Sequence, residues 1–383
     1  MRSPYKKRLL RDLDRWQSNG WVSEEGRVAI LADVQSSGRE FSLASALGIL
    51  ASVLFGFAAI SFVAAHWEDM SPWSRFSLVM LMVAALHVAG VVTARRSPLL
   101  STAMHSVGTI ACGAGIFLSG QIFNLKEHWP TGILLWAAAA WAGWALLRQW
   151  PQAALAALVT PAWLMSEWFE ATRRSDAGFH VWLEGALLLA VVYITARSSE
   201  LSSPLRRALN WIGGIAFIPF YLVLAFEGWW DKEHLPMHLS IIGWGVAFLV
   251  PMGLAFLLRK RDAWPIVPAT IWIVVFGHLP FRFRETNLSF AAYAWHTLGP
   301  YLWGALGSIG LIAWGVRDRV KSRVNLGMAV FVVTLICFYF SDLLDKLGRS
   351  VSLISFGILF LVIGYFLEKT RKKLIAQIAS AGA

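Results

Sequence analysis

The stretch GFHVWLEGALLLAVVYITA, residues 178–196, decides the fold class of this chain. The apolar run after Glu184 covers residues 185–196, and it is too short to cross the roughly 30 Å of a bilayer's hydrocarbon core, which needs about 20 residues. A helix that crosses here must therefore include residues 178–184 as well. This assignment places Glu184 about 9 Å in from the outer end of a transmembrane helix, at a rise of about 1.5 Å per residue.

The composition of the whole chain agrees with this assignment. Of its 383 residues, 57% are apolar and 15% are charged, and the net charge is +11. The mean hydropathy is +0.57. Soluble domains carry about 25% charged residues, so long uncharged stretches must account for the difference. Collagen, disordered chains and disulfide-stapled secreted modules are excluded, and both cysteines lie inside apolar runs.

These features predict an all-α, polytopic membrane protein with about twelve transmembrane helices. The apolar runs are continuous, which favours helices over barrel strands, whose hydrophobicity would alternate. A cytoplasmic head of residues 1–41 precedes the helical bundle of residues 42–367, and a basic tail of residues 368–383 follows it. The predicted spans cover residues 42–65, 76–94, 99–123, 131–147, 151–169, 178–196, 208–226, 239–258, 264–281, 299–316, 325–341 and 350–367.

Lysine and arginine are distributed unequally between the two sides that these spans define. One side receives 25 of the 34 basic residues, and the other receives nine. Because cytoplasmic loops retain basic residues during insertion, both termini are predicted to be cytoplasmic. The basic residues lie at helix ends rather than in one patch with interleaved aromatic residues, so nucleic acid is not an expected partner.

The head has the pattern of two short amphipathic helices. Apolar residues up to Trp16 follow a helical spacing, Asn19-Gly20 is a turn pair, and Ser23 is a plausible N-cap for the second helix. Two such helices cannot bury enough surface to be stable alone. We expect them to dock on the bilayer, on the bundle or on a protein partner. Self-association or partner binding through residues 5–36 and a purely packing role both remain open.

Two stretches of the chain carry a family resemblance. The first includes Trp16, the GWVSEE step at residues 20–25 and FVAAHWE at residues 62–68, and the second is GAGIFLSGQIFNL at residues 113–125. They resemble the bacterial predicted membrane proteins of domain-of-unknown-function family 2157, over roughly residues 5–145. The resemblance implies a multi-pass protein of the bacterial inner membrane. The family has no established activity, so the resemblance implies no catalytic residues.

Polar residues within the predicted spans are the candidate site residues. Such groups are costly in hydrocarbon and usually face the bundle interior or a wet cavity. Glu167 and Glu227 lie near the outer ends of their spans, where hydration at the headgroups is the alternative interpretation. We expect Gln121 to face another helix or a cavity. The hypothetical substrate-binding or ion-binding set comprises Glu184, Glu167, Glu227, His180, Trp182 and Gln121.

Histidines supply two further hypotheses. His87 and His105 lie toward the middle or the inner half of their spans, and they could pair as a proton relay or be satisfied core residues. Other acidic residues and a histidine are expected at the outer face, where acid–base or metal chemistry would need them to converge. No compact metal motif is present, so neither a metal nor a cofactor is expected. The outer-face candidates are His66, Glu68, Asp69, Asp342 and Asp345.

Three functions remain open at this point. The first is a transporter or carrier with an outer vestibule of Trp, His and carboxylate side chains, in which Glu184 is the coupling acid. The second is a membrane-embedded enzyme that acts on a lipid-linked substrate at the outer leaflet. The third is a non-catalytic sensor or assembly factor. Phosphate loops, nucleophile elbows and metal motifs are absent from the sequence, so an enzyme is the least supported of the three.

Overall fold

The computed structural model describes residues 4–37, 50, 54, 58, 61, 70–125, 128–172, 177–198, 200–226, 235–278 and 290–339. Every regular element among these residues is helical. The chain divides into two compact units, Met1–Gly115 and Ile116–Ala383. The predicted span 350–367 and the tail lie outside the described residues, as does nearly all of the predicted span 42–65.

The first unit begins with the two short helices that the head sequence predicts. Helix α1 is Pro4–Ser18 and helix α2 is Glu24–Ser37. Gly20 has a φ of +71°, a left-handed conformation that glycine adopts without strain, and it allows the chain to reverse between them. The Ser23 hydroxyl accepts a hydrogen bond from the Gly26 amide at 3.1 Å, which is the predicted N-cap. The structure thus has two helices in this region, and the cytoplasmic hairpin stays a prediction.

Two longer helices follow in the described part of the first unit. Helix α3 is Pro72–Thr93 and helix α4 is Pro98–Ile122, whose last residues belong to the second unit. Each begins with a proline, which lacks an N–H and fits the first turn of a helix. In α3, the Ser71 side chain accepts from the Ser74 amide and caps the helix.

The second unit contains the remaining described helices, and α7 is its core. The side chains of Leu183, Leu187 and Leu188 on α7 are completely buried. This helix packs against α6, α8, α9 and α10. The helices are α5 (Pro130–Leu147), α6 (Trp150–Ala171), α7 (Ala177–Thr195), α8 (Pro204–Phe226), α9 (Met237–Arg259), α10 (Ile266–His278), α11 (Phe290–Arg317) and α12 (Lys321–Tyr339).

Seven of the described helices are long and apolar enough to cross a membrane. They are α3, α4, α5, α7, α8, α9 and α12. A described helix coincides with each of the predicted spans from 76–94 to 325–341. The helical membrane class is therefore confirmed, and the total of twelve crossings stays a prediction.

Two boundaries differ from the sequence prediction. The described part of helix α10 begins at Ile266, two residues after the start of the span predicted at 264–281, because a 3-10 turn at Lys260–Ala263 and Pro265 precede it. Helix α11 begins at Phe290 rather than at residue 299. The helix passes through Pro300, as membrane helices can when neighbours compensate for the lost hydrogen bond.

Buried charged side chains join several helix ends on one side of the second unit. Asp318, in the turn between α11 and α12, accepts hydrogen bonds from Arg259 and, at 2.6 Å, from Arg323. Arg323 also donates to the Arg197 carbonyl just after α7, at 2.7 Å, and Arg206 donates to the Leu258 carbonyl at 2.8 Å. Guanidinium groups thus satisfy carbonyls at the C-terminal ends of helices. We call Asp318, Arg259 and Arg323 the ion cluster.

The ion cluster agrees with the predicted alternation of the chain. The turns that follow α7, α9 and α11 meet at this end of the unit. The sequence assigned all three turns to the same side of the membrane. Their common location is confirmed, and the cytoplasmic identity of that side stays a prediction.

Candidate ion-binding site

Glu184 lies in the most buried of the membrane-crossing helices. It is the eighth residue of α7, which places it about 10 Å from the helix start, and its side chain is completely buried. Large apolar side chains surround it along the helix, and Leu183 is likewise fully buried. The carboxyl group is therefore inside the protein rather than among lipid headgroups.

His180 is the polar partner of Glu184 on the same helix. Its Nε2 atom lies 2.8 Å from Oε1 of Glu184. The two residues are four apart in the chain, so they lie on one face of α7 one turn from each other. The His180 side chain is 19% exposed, whereas Glu184 is not exposed at all. The imidazole thus connects the buried carboxyl group to the outside of the helix.

Glycine allows two other helices to approach this pair. A methyl group at Gly277 of α10 would overlap the carboxyl group of Glu184 and would lie 3.1 Å from its Cγ atom. At Gly185, a methyl group would lie 2.8 Å from the Cβ atom of Ala247 on α9. Glu184 therefore lies at a place where α7, α9 and α10 are in close contact.

An aromatic ring forms one wall beside His180. Its imidazole makes an edge contact with Trp244 of α9, with 6.4 Å between the ring centroids. Trp244 is in turn stacked on Phe248, at 5.4 Å between centroids. Phe248 and the glycines were not identified from the sequence, although the i, i+4 spacing of His180 and Glu184 was a signal that could have indicated the pair.

Trp182 belongs to a different group of side chains. Its ring lies 5.0 Å from Phe179, 5.4 Å from Phe169 and 5.6 Å from Phe220, measured between centroids. These rings join α6, α7 and α8. The structure gives Trp182 a packing environment of its own, apart from the His180 imidazole.

Glu167 also has partners of its own, near the end of α6. Its carboxylate lies 2.7 Å from Nε2 of His128 and accepts a hydrogen bond from the Trp163 indole at 3.0 Å. Next to it, the Trp129 indole donates to Glu170 at 2.9 Å. Both Glu167 and His128 are partly exposed. We call these five residues the α6 rim cluster.

The α6 rim cluster lies at the end of the second unit where α7 begins. The Trp168 indole joins that end of α6 to the start of α7, because it donates to the Gly178 carbonyl at 2.6 Å. The ion cluster is near the opposite end of α7, at the carbonyls of Ile194 and Arg197. The sequence placed these two ends on opposite sides of the membrane, and they are opposite ends of one helix.

Gln121 differs from its expectation. It lies in the last turn of α4, and its side chain is exposed rather than packed against another helix. The physical reason is its position at the helix end, where an amide can reach water or lipid headgroups without cost. This exposure argues against packing on another helix, whereas the expected cavity and the place of Gln121 in a binding site stay predictions.

The two histidines proposed as a relay do come together. Nδ1 of His87 on α3 lies 3.0 Å from Nδ1 of His105 on α4. The remaining candidates lie outside the described residues, namely His66, Glu68, Asp69, Glu227, Asp342 and Asp345. Among the residues that the structure describes, no group of three or more His, Cys, Asp or Glu side chains could hold a metal ion.

The chemistry of the His180–Glu184 pair is that of proton exchange. A carboxyl group and an imidazole at hydrogen-bond distance can hold one proton between them or two when both are protonated, and the net charge of the pair changes with each proton. In a medium of low dielectric constant, each such change has a large electrostatic effect on its surroundings. The pair can therefore couple protonation to the packing of α7 against α9 and α10.

Comparison with known proteins gives one match. No curated protein and no solved structure matches the chain. One protein-family model matches part of the chain. This part extends from α1 into the beginning of α6, so it ends before Glu184. Residues 14–153 match the model of the family described as predicted membrane protein (DUF2157), as the resemblance in the N-terminal part of the chain implied.

Proposed function

We propose that this protein is a proton-coupled membrane carrier in which Glu184 and His180 bind the coupling proton. The observation that supports this proposal is a completely buried carboxyl group in a membrane-crossing helix, with an imidazole 2.8 Å away. An ionisable residue at membrane depth is costly to keep and is most often part of an ion or proton pathway. Its imidazole partner is a second group that can bind a proton.

The exposure of the two side chains suggests a route for the proton. His180 is the more exposed member and lies one turn nearer the start of α7. A proton that arrives from that end would bind the imidazole first and then transfer to the carboxylate. The α6 rim cluster lies at the same end of the unit. Its indoles and carboxylates suit a vestibule that attracts cations or amphiphiles.

The contact with Gly277 suggests how protonation could move a helix. The carboxyl group of Glu184 touches the backbone of α10, so a change in its charge or rotamer acts directly on that helix. Interior prolines in α6, α8 and α9 leave backbone carbonyls without an intrahelical partner, and they are points at which these continuous helices can bend. These features support an alternating movement of α10 against α7.

Proton flux in vesicles tests the carrier proposal. The full chain would be reconstituted in liposomes that contain a pH-sensitive dye, and sodium, potassium and tetraalkylammonium salts would be added outside in turn. We expect at least one of these cations to drive proton movement. In the Glu184→Gln variant, the rate of proton movement should fall by at least about tenfold, because an amide cannot bind the proton.

A matched variant and a defined contrary outcome make this test specific. Glu200→Gln changes an exposed carboxyl group in the turn after α7, and this residue belongs neither to the buried pair nor to the α6 rim cluster. It should retain proton movement. Equal proton movement by the Glu184→Gln variant and the original protein would remove Glu184 from the mechanism. If none of the added cations drives proton movement, cation-coupled carriage is refuted.

A further inference from the structure

The α3–α4 hairpin carries a second pair of titratable residues, with a two-fold relation between the helices. The sequence His-x-x-Gly occurs on α3 as His87–Gly90 and again on α4 as His105–Gly108. The two Nδ1 atoms lie 3.0 Å apart, and the ring centroids lie 5.3 Å apart with 32° between the planes. This repeated motif was not identified in the sequence analysis.

Each imidazole occupies the space that the glycine of the opposite helix leaves. A methyl group at Gly90 would lie 2.7 Å from Nε2 of His105, and one at Gly108 would lie 2.9 Å from Nε2 of His87. Real Cβ atoms do not approach other atoms so closely. The two glycines are therefore required for the rings to meet between the helices.

The hairpin supplies no carboxylate for these histidines. Neither α3 nor α4 contains Asp or Glu. Their other titratable or charged side chains are Arg75, near the start of α3, and Cys112 on α4. A positive charge on the pair is thus not neutralised by either helix that forms it.

The serine and threonine hydroxyls near the pair donate to their own helices. Thr109 donates to the His105 carbonyl at 3.0 Å, Ser106 to the Thr102 carbonyl at 2.6 Å, and Thr93 to the Ala89 carbonyl at 2.7 Å. These contacts follow the common i−4 pattern of Ser and Thr in helices. Among the hydrogen bonds described for these residues, the one between the two imidazoles joins α3 to α4.

The number of protons decides whether this contact can exist. When both rings are neutral, one donates its Nδ1 proton and the other accepts it with its Nδ1 lone pair. One additional proton leaves the bridge in place, since one Nδ1 still has a lone pair. A second additional proton makes both Nδ1 atoms donors, so the hydrogen bond is lost and two positive charges face each other.

We propose that His87 and His105 form a proton-sharing latch. The latch holds α3 against α4 while at least one Nδ1 atom can accept, and it releases the hairpin when both imidazoles are protonated. It is independent of the proposed role of Glu184. The ligand of this site is the proton itself, and the hairpin is the element that responds.

Nitrogen NMR of the imidazoles tests the shared proton. Full-length protein with ¹⁵N-labelled histidine would be prepared in lipid nanodiscs, together with the His87→Asn and His105→Asn variants. At about pH 8 we expect one ring with its proton on Nδ1 and a nitrogen–nitrogen coupling across the hydrogen bond to the other ring, and this coupling should disappear in both variants. Asparagine keeps a polar atom near the Nδ1 position but cannot be protonated in this range, so it also serves as the packing control.

A distance measurement across the hairpin tests the release. Spin labels would be attached at Leu81→Cys on α3 and Ile110→Cys on α4, two exposed positions, in a background that lacks Cys112 and Cys337. Between about pH 8 and about pH 5, the interhelical distance should increase in the protein with both histidines. It should stay constant in the His87→Asn/His105→Asn double variant. Two rings that titrate independently, or a pH-dependent distance in the double variant, would overturn the proposal.

Discussion

Asp318 lies outside the membrane-spanning segments, in the turn between α11 and α12. It is nearly fully buried and contacts two guanidinium groups, Arg259 and Arg323. Burial acts to raise the pKa of Asp318, but the hydrogen bonds from both arginines and their charges outweigh burial and hold the pKa below its usual value. The charged carboxylate is therefore the form that the folded protein stabilises.

The Asp318→Asn variant should show what this carboxylate contributes. Removal of one partner from a buried ion pair leaves uncompensated charge and typically costs about 3–5 kcal/mol. At neutral pH, the variant should unfold at a correspondingly lower concentration of denaturing detergent. Asp262→Asn is a suitable control, because that acidic residue is exposed in the 3-10 turn before α10 and should have little effect.

The stabilisation that Asp318 contributes should depend on pH, with a definite sign. Because the folded state lowers the pKa of Asp318, its stabilising contribution is present above the unfolded pKa of about 4 and is lost as the pH falls through the folded pKa. The difference in unfolding free energy between the original protein and Asp318→Asn should therefore shrink below about pH 4. A constant difference across this range would mean that the carboxylate does not stabilise the fold through its charge.

At the level of the elements, glycine determines how closely the helices pack. A methyl group at Gly213 of α8 would lie 2.5 Å from the Ala190 carbonyl oxygen and 2.8 Å from the Ile194 amide nitrogen, both on α7. At the adjacent Gly214, the nearest atom would be 3.9 Å away, in Leu326. Two neighbouring glycines thus have different functions, and one of them brings two backbones together as small residues do in membrane helices.

This difference gives a matched pair of substitutions. Gly213→Ala should destabilise the protein by at least about 1–3 kcal/mol, because backbone atoms cannot move aside as a side chain can. Gly214→Ala should be neutral or stabilising by up to about 1 kcal/mol, since alanine favours the helix more than glycine does. Unfolding in detergent measures both variants. Similar effects of the two substitutions would contradict the close approach of α7 and α8.

At the level of the whole molecule, the orientation in the membrane determines which side of the membrane each turn faces. The turns at the ion cluster were assigned to the cytoplasmic side by their basic residues. The loop between α4 and α5, which includes the exposed Leu125, was assigned to the outer side. These assignments also place both chain ends in the cytoplasm.

Cysteine labelling of intact cells tests this orientation. In a background without Cys112 and Cys337, Leu125→Cys should react with a membrane-impermeant maleimide in intact cells. Glu200→Cys, in the exposed turn after α7, should react only after the cells are permeabilised. The reverse pattern would invert the map, and it would place the α6 rim cluster on the cytoplasmic side.

The sequence by itself determined the class of protein and the positions of most helices. Apolar runs of sufficient length must form helices in a membrane, because hydrocarbon offers no partner for backbone groups. Local signals also predicted the turn at Gly20 and the N-cap at Ser23, since each depends on neighbours in the chain. The length of one apolar run also placed Glu184 within a transmembrane helix, and that helix is one of those long and apolar enough to cross a membrane.

The tertiary structure alone decided which side chains meet across helices. Asp318 meets Arg259 of α9, and Glu184 meets Gly277 of α10. In each pair, many residues of the chain separate the two partners. Composition and periodicity show which face of a helix is apolar, but they do not specify which neighbouring helix covers it. The reason is physical: such contacts depend on the packing of side chains against glycines, and only the assembled bundle specifies that packing.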